Sequence, residues 1–363
     1  MSRSRRQSPR RPRPPRKGER APRPPRRAAV KALLGLVAAC VAIAGGLALA
    51  GVFGGRAGDG ARTASPPGRG VVRTVEQLPP PLPERGPSQT ELGPLPQPAG
   101  AAHVDLSHRS LLSYLRLRPA PKAGLAFDFA DGSVLWRHGA TRTRPIASLT
   151  KLMTALLAVE RFGPRDRVRI PRAADWVAGS RMGGLKPGRR VRADVLLKGL
   201  LIASGNDAAT TLAIAGAGSE RAWVVLMNRR AKLLGLSCTH FVDSYGLDPR
   251  NRSCPADLAV LAMRAMNEPR IKAIARRRSV RVWTGAGKKL TLRTTNHLLR
   301  DHYPGAIGLK TGFTNPAGFC LVAIVQRGSK RIGIVVLGSK DSFGTARRLA
   351  RAAVQVGMLP KAA

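Results

Sequence analysis

Pro145-Ile146-Ala147-Ser148-Leu149-Thr150-Lys151-Leu152-Met153-Thr154-Ala155-Leu156-Leu157 reads as the opening of a helix built to be buried. Leu149, Leu152, Met153 and Leu156 follow the i, i+3, i+4, i+7 rhythm of one helical face, and Pro145 stands upstream, where it cannot interrupt the helix. Lys151 breaks the pattern. One turn after Ser148, it sets an amine beside a hydroxyl on the same face. Apolar surroundings favour the neutral, basic form of that amine, which would activate the serine as a nucleophile. The plainer reading of an isolated Ser-x-x-Lys is a capping serine and a lysine that snorkels to water. The rest of the chain decides between them.

Upstream, composition divides the chain into segments. Its 363 residues leave room for one large or two small domains, and the formal charge is +43. Residues 1–31 are mostly Arg and Pro with a single acid, Glu19, and are expected to be a disordered cytoplasmic tail. Residues 32–55 carry no charge and are long enough to cross a bilayer as one helix. The positive-inside rule then places everything after them outside the cell membrane. Ala48-Leu49-Ala50 also matches a small-residue cleavage site, so a signal peptide cut after Ala50, giving a secreted protein, is the competing reading. Residues 56–103, with Pro79-Pro80-Pro81, read as a Pro/Gly-rich linker, and residues 104–360 as the folded domain.

Within the domain, Gly124 to Phe129, the turn Asp131-Gly132 and Ser133 to Trp136 predict a hairpin. Asp194 to Ile202 and Ala208 to Ile214 read as two helices parted by a tight loop at Ala203-Ser204-Gly205-Asn206-Asp207. Further helices are expected over Ala222 to Leu234, Pro255 to Met266 and Thr345 to Val356. Ala306 to Phe313, Gly318 to Gln326 and Arg331 to Leu337 predict an antiparallel three-stranded meander. Strands at both ends around a helical middle imply an α+β domain whose terminal segments share one sheet. Of the four cysteines, Cys40 lies in the apolar run and Cys320 in an interior strand. Cys238 and Cys254 flank a loop-rich stretch, and an oxidising compartment makes a disulfide between them plausible. With scattered histidines and no ligand spacing, no metal site is expected.

Three short motifs occur in a telling order: Ser148-Leu149-Thr150-Lys151, Ser204-Gly205-Asn206 and Lys310-Thr311-Gly312. Each alone is weak, as a helix cap, a loop or a strand end. Together they form the set found in penicillin-binding proteins and class A β-lactamases, with Gly in place of Asp in the second. Longer runs agree, among them Leu185-Lys186-Pro187-Gly188, Ser204 to Ala209, Thr239-His240-Phe241, Gly246-Leu247-Asp248 and Gly308 to Thr314. Over about Ala123 to Leu349 the chain resembles the low-molecular-mass serine D-alanyl-D-alanine carboxypeptidases. The resemblance implies a five-stranded antiparallel sheet flanked by helices, with an all-helical subregion and the active site between the two. It further implies Ser148 as nucleophile, Lys151 as base, and Ser204 as proton relay to the leaving amine. Asn206 would hold the substrate amide and orient Lys151. Lys310 and Thr311 would receive the terminal carboxylate, and Gly312 would let substrate lie against the strand. The backbone N–H groups of Ser148 and Phe313 would form the oxyanion hole.

The function expected is removal of the terminal D-alanine from peptidoglycan pentapeptides, without a cofactor. Peptidoglycan stem peptides and acylating β-lactams are the expected partners. An endopeptidase of the same fold is the nearest rival. A β-lactamase lacks support, since no Glu-x-x-Leu-Asn segment lies between the first two motifs. A non-catalytic wall-binding protein is argued against by the intact motif set. The charge suggests nucleic acid, but the apolar run, the extracytoplasmic placement and the lack of interleaved aromatics exclude it as a partner. Some relatives carry a second all-β domain and a C-terminal amphipathic anchor; with the sequence ending soon after Val356, neither is expected. Arg347 is a candidate carboxylate-binding arginine that cannot be aligned firmly.

Overall fold

The computed structural model describes residues 93, 95–97, 102–108, 110–285 and 289–361. The basic tail, the apolar run with Cys40 and nearly all of the linker lie outside them. In chain order, β1 (Ala123–Asp128) and β2 (Val134–His138) form the hairpin, and β3 (Arg144–Pro145) leads to a 3₁₀ turn (Ala147–Thr150) and α1 (Lys151–Arg161). There follow β4 (Arg167–Arg169), α2 (Ala173–Trp176), β5 (Arg190–Arg192), α3 (Ala193–Ile202), α4 (Asn206–Ala217) and α5 (Glu220–Leu233). Next come β6 (Arg252–Ser253), α6 (Pro255–Asn267), α7 (Pro269–Ala275), β7 (Ser279–Trp283), β8 (Lys289–Arg293) and α8 (His297–Arg300). β9 (Ala306–Thr314), β10 (Gly318–Arg327), β11 (Lys330–Ser339) and α9 (Ser342–Gln355) complete the series.

The two ends of the domain meet in one antiparallel sheet of order β2-β1-β11-β10-β9. β1 pairs with β11 in the register Leu125↔Val335, which joins the hairpin to the meander. The strands read as near-continuous apolar runs because both faces are covered. Leu125, Phe127, Val322, Ile324, Val335 and Leu337 pack toward the helical part. Ala126, Leu321, Ala323, Val325, Ile334 and Val336 pack with Ala346, Leu349, Ala350 and Ala353 of α9. That helix begins earlier than the apolar pattern predicts, because Asp341 caps it by accepting from the Gly344 N–H at 2.7 Å.

α1 is buried from Lys151 to Ala158, with α3, α4, α5, α6 and α7 around it. The expected helix start is corrected in one respect. Ser148 sits not on α1 but on the 3₁₀ turn before it, where Ala147 has φ +47. Three short ribbons, β3–β6, β4–β5 and β7–β8, were not anticipated from sequence. Among the described residues, no helix is long and apolar enough to cross a membrane.

Candidate active site

The edge strand β9 runs along the turn that carries Ser148. A Cβ on Gly312 would lie 3.0 Å from the Ser148 nitrogen and 3.1 Å from the Ile146 oxygen, so any side chain there would push strand and turn apart by a few tenths of an ångström. The first two motifs are brought to the same edge by helices. Lys151 opens α1, and its Nζ lies 2.8 Å from Ser148 Oγ and 2.7 Å from the Tyr245 carbonyl oxygen. Lys310, on β9, donates from Nζ to Ser204 Oγ at 2.8 Å and to its neighbour Thr311 O at 2.8 Å. Ser204 occupies the loop between α3 and α4 with φ +59.

Both lysines are almost completely enclosed, at 0% and 1% exposure, and neither has a carboxylate ion-pair partner among the described residues. Burial penalises a charged amine. It pushes Lys310 down to about 7. Lys151 is held well below the ordinary lysine range, first by burial and then by the positive charge of Lys310, with Asp243 and Asp207 opposing. A neutral Lys151 can accept the Ser148 proton while donating to Tyr245 O.

The second motif is shaped by packing. A side chain at Gly205 would meet Asp207 Oδ1 at 2.6 Å and Met182 N at 2.8 Å, which accounts for glycine there. Asp207, fully buried, accepts from the N–H of Met182 at 2.9 Å and of Gly183 at 3.1 Å, lacing the 171–189 segment to α4. Asn206 differs from expectation. Its Nδ2 donates to Ala178 O at 2.6 Å, and Lys151 is oriented by the Tyr245 carbonyl instead. That bond engages the Asn206 Nδ2 with the 171–189 segment.

At the third motif, Thr311 Oγ1 shares a 2.6 Å hydrogen bond with Thr295 Oγ1, a residue sequence reasoning missed. Phe313 is 53% exposed and its ring lies tilted against Phe319 with centroids 4.6 Å apart. Arg347 is engaged elsewhere, 2.7 Å from Asp301. Cys238 and Cys254 form a disulfide with Cα atoms 5.6 Å apart, and Cys320 is free and buried. The Tyr245 contribution left no side-chain signal to find, because it is a main-chain oxygen. The structure thus brings Ser148, Lys151, Ser204, Lys310, Thr311 and Gly312 to one edge, with Asn206 in the wall beside them.

Comparison with known proteins agrees with this geometry. A D-alanyl-D-alanine carboxypeptidase DacD of Salmonella typhimurium is 38% identical over 248 residues, 64% of this chain and 62% of that protein. A D-alanyl-D-alanine endopeptidase of Haemophilus influenzae is 34% identical over 224 residues, 60% of this chain and 75% of that one. The crystal structure of penicillin binding protein 6B from Escherichia coli superposes with a TM-score of 0.61 at 34% identity, covering 69% of this chain and 81% of that one. The chain therefore spans under two thirds of the length of the DacD relative. The family model described as peptidase S11, D-alanyl-D-alanine carboxypeptidase, matches residues 118–341, and the chain belongs to that family.

Proposed function

We propose that this protein is a serine-type D-alanyl-D-alanine carboxypeptidase acting on peptidoglycan stem peptides. The observation that carries the reading is Lys151 Nζ, buried without a counter-carboxylate, 2.8 Å from Ser148 Oγ. Neutral Lys151 takes the Ser148 proton as Oγ attacks the carbonyl carbon of the penultimate D-alanine. The oxyanion is received by the Ser148 and Phe313 N–H groups. Collapse breaks the C–N bond, and Ser204, hydrogen-bonded to Lys310, relays to the departing amine the proton that Lys151 took from Ser148, leaving Lys151 neutral again. Water, deprotonated by Lys151, then hydrolyses the ester. Lys310 and Thr311 receive the terminal carboxylate, with Thr295 fixing the Thr311 hydroxyl. β-Lactams acylate the same serine.

A second reading is supported by the Haemophilus influenzae relative, whose name is that of an endopeptidase. Incubation of the purified protein with a pentapeptide and with a cross-linked dimer separates the two. Release of free D-alanine from the pentapeptide, at a rate exceeding dimer cleavage, is expected; cleavage of the dimer alone would favour the endopeptidase.

The proposal extends to the N-terminal part. Residues 1–31 remain in the cytoplasm, 32–55 anchor the chain in the cell membrane, and 56–103 tether a catalytic domain, 104–360, outside. Its support is the uncharged run behind an arginine-rich leader. Cleavage after Ala50 would release the same domain.

A further inference from the structure

Lys151 Nζ donates to the main-chain oxygen of Tyr245, so whatever holds the Tyr245 loop also aims the amine. The loop runs from Cys238 to Cys254, whose disulfide fastens its ends. At its centre Asp243 is 8% exposed. Asp243 Oδ1 accepts from the N–H of Tyr245 at 2.9 Å and from that of Gly246. Its Oδ2 accepts from Leu247 N at 3.1 Å and Asp248 N at 2.9 Å. Four N–H donors converging on two oxygens match a carboxylate; an amide would turn its NH₂ toward two of them.

The resulting turn does two things. It points the Tyr245 carbonyl at Lys151, and it seats Gly246 on the Ser148 turn, where a Cβ would run into the Ala147 carbonyl. Other bonds hold the loop from its flanks. Thr154 Oγ1 donates to Ser244 O at 2.6 Å, and Asn251 Oδ1 accepts from Val242 N at 3.0 Å. Glu220 accepts from the Ser244 hydroxyl at 2.8 Å. The charges that act on the amine are Lys310 from β9, Asp243 from the loop and Asp207 from α4.

We propose that Asp243 is a positioning residue for Lys151: its carboxylate folds the loop that presents the Tyr245 carbonyl to the amine, and its charge opposes that of Lys310. The inference rests on Lys151 acting as base toward Ser148. Burial and Lys310 drive the amine toward neutrality, and a base driven too far in that direction loses proton affinity. Asp243 counters that drift while fixing geometry.

The test compares Asp243→Asn, which removes the charge isosterically, with Asn251→Ala, which loosens the same loop and keeps the charge. Asp243→Thr, whose hydroxyl can still accept from the loop, serves as a second neutral variant should the first not fold. The ¹³C NMR titration of the Lys151 ε-carbon is read in each full-length protein, together with the pH dependence of acylation by benzylpenicillin. The neutral variants are expected to lower the Lys151 midpoint by about one unit and to slow acylation about tenfold or more. Asn251→Ala, which keeps the charge, should move the midpoint by clearly less than the neutral variants do. An unmoved midpoint in the neutral variants, or an equal shift in Asn251→Ala, would overturn the proposal. Because the midpoint is read without substrate, it judges Asp243 separately from whether Ser148 is acylated at all.

Discussion

In the proposed mechanism the two enclosed lysines need opposite protonation states: Lys151 neutral to accept a proton, and Lys310 charged to attract a carboxylate. With burial pushing Lys310 down to about 7, kcat/KM for a carboxylate-bearing peptide should rise as Lys151 deprotonates and decline above about pH 7 as Lys310 loses its charge. The same enclosure has a cost in stability. Lys310 has a folded value of about 7 against an ordinary 10.5, so the unfolded chain binds more protons between those limits. Stability therefore rises with pH across that window, and the penalty is fully present below it. Replacing Lys310 by Met removes this slope. The stability of Lys310→Met relative to wild type, measured by urea unfolding, should fall as pH is raised from 7 toward 10.5; a constant difference would contradict the assignment. Lys151 was legible in the sequence because a lysine inside an apolar helix face violates the local pattern, and Lys310 because its Lys-Thr-Gly follows the other two motifs in the order the family resemblance implies. Thr295 and the Tyr245 carbonyl were not. A threonine in a loop is unremarkable, and a main-chain oxygen has no letter.

The sheet edge and the Ser148 turn act together through Gly312. A Cβ there would press on the Ser148 nitrogen at 3.0 Å and on Ile146 O and Ala147 Cβ beside it, shifting the N–H that the proposed mechanism uses as an oxyanion donor. Gly312→Ala is expected to slow penicillin acylation by about 10²-fold with a change in unfolding free energy below about 1 kcal/mol. Unaltered acylation would show that strand and turn need not touch. The long strands β9, β10 and β11 were readable because burial on both faces writes continuous apolar runs. The ribbon β4–β5 was not, since Arg167–Arg169 and Arg190–Arg192 each bury a single valine between two arginines. Three residues are too few for alternation to stand out. The 3₁₀ turn under Ser148 was likewise invisible: the apolar rhythm continues through it, and the positive φ of Ala147 has no glycine to announce it.

For the whole molecule, the formal charge of +43 invites a nucleic-acid reading that the family does not support. The part of the chain after residues 1–31 is itself strongly basic, and the expected consequence of that charge lies in the wall, which is often polyanionic. Attraction between exposed charges is screened beyond about 10 Å at 0.1 M salt. Binding to isolated cell walls should fall steeply with added salt, while hydrolysis of a small neutral-side-chain peptide changes little. Salt-independent wall binding would leave the arginine content as a feature of composition alone. Architecture as a class, helices around a sheet built from both chain ends, followed from the order of strands and helices. The closeness of Ser148, Ser204 and Lys310 did not follow from order, since the three come from a turn, an interhelical loop and an edge strand distant in sequence.

Central to the account is that Ser148 is the nucleophile and Lys151 its base. Intact-protein and peptide mass spectrometry after brief exposure to benzylpenicillin tests both. The account predicts one added drug mass on the peptide containing Ser148, none in Ser148→Ala, and a rate lowered by about 10²-fold or more in Lys151→Arg. A label on any other residue, or undiminished acylation of Lys151→Arg, would contradict it.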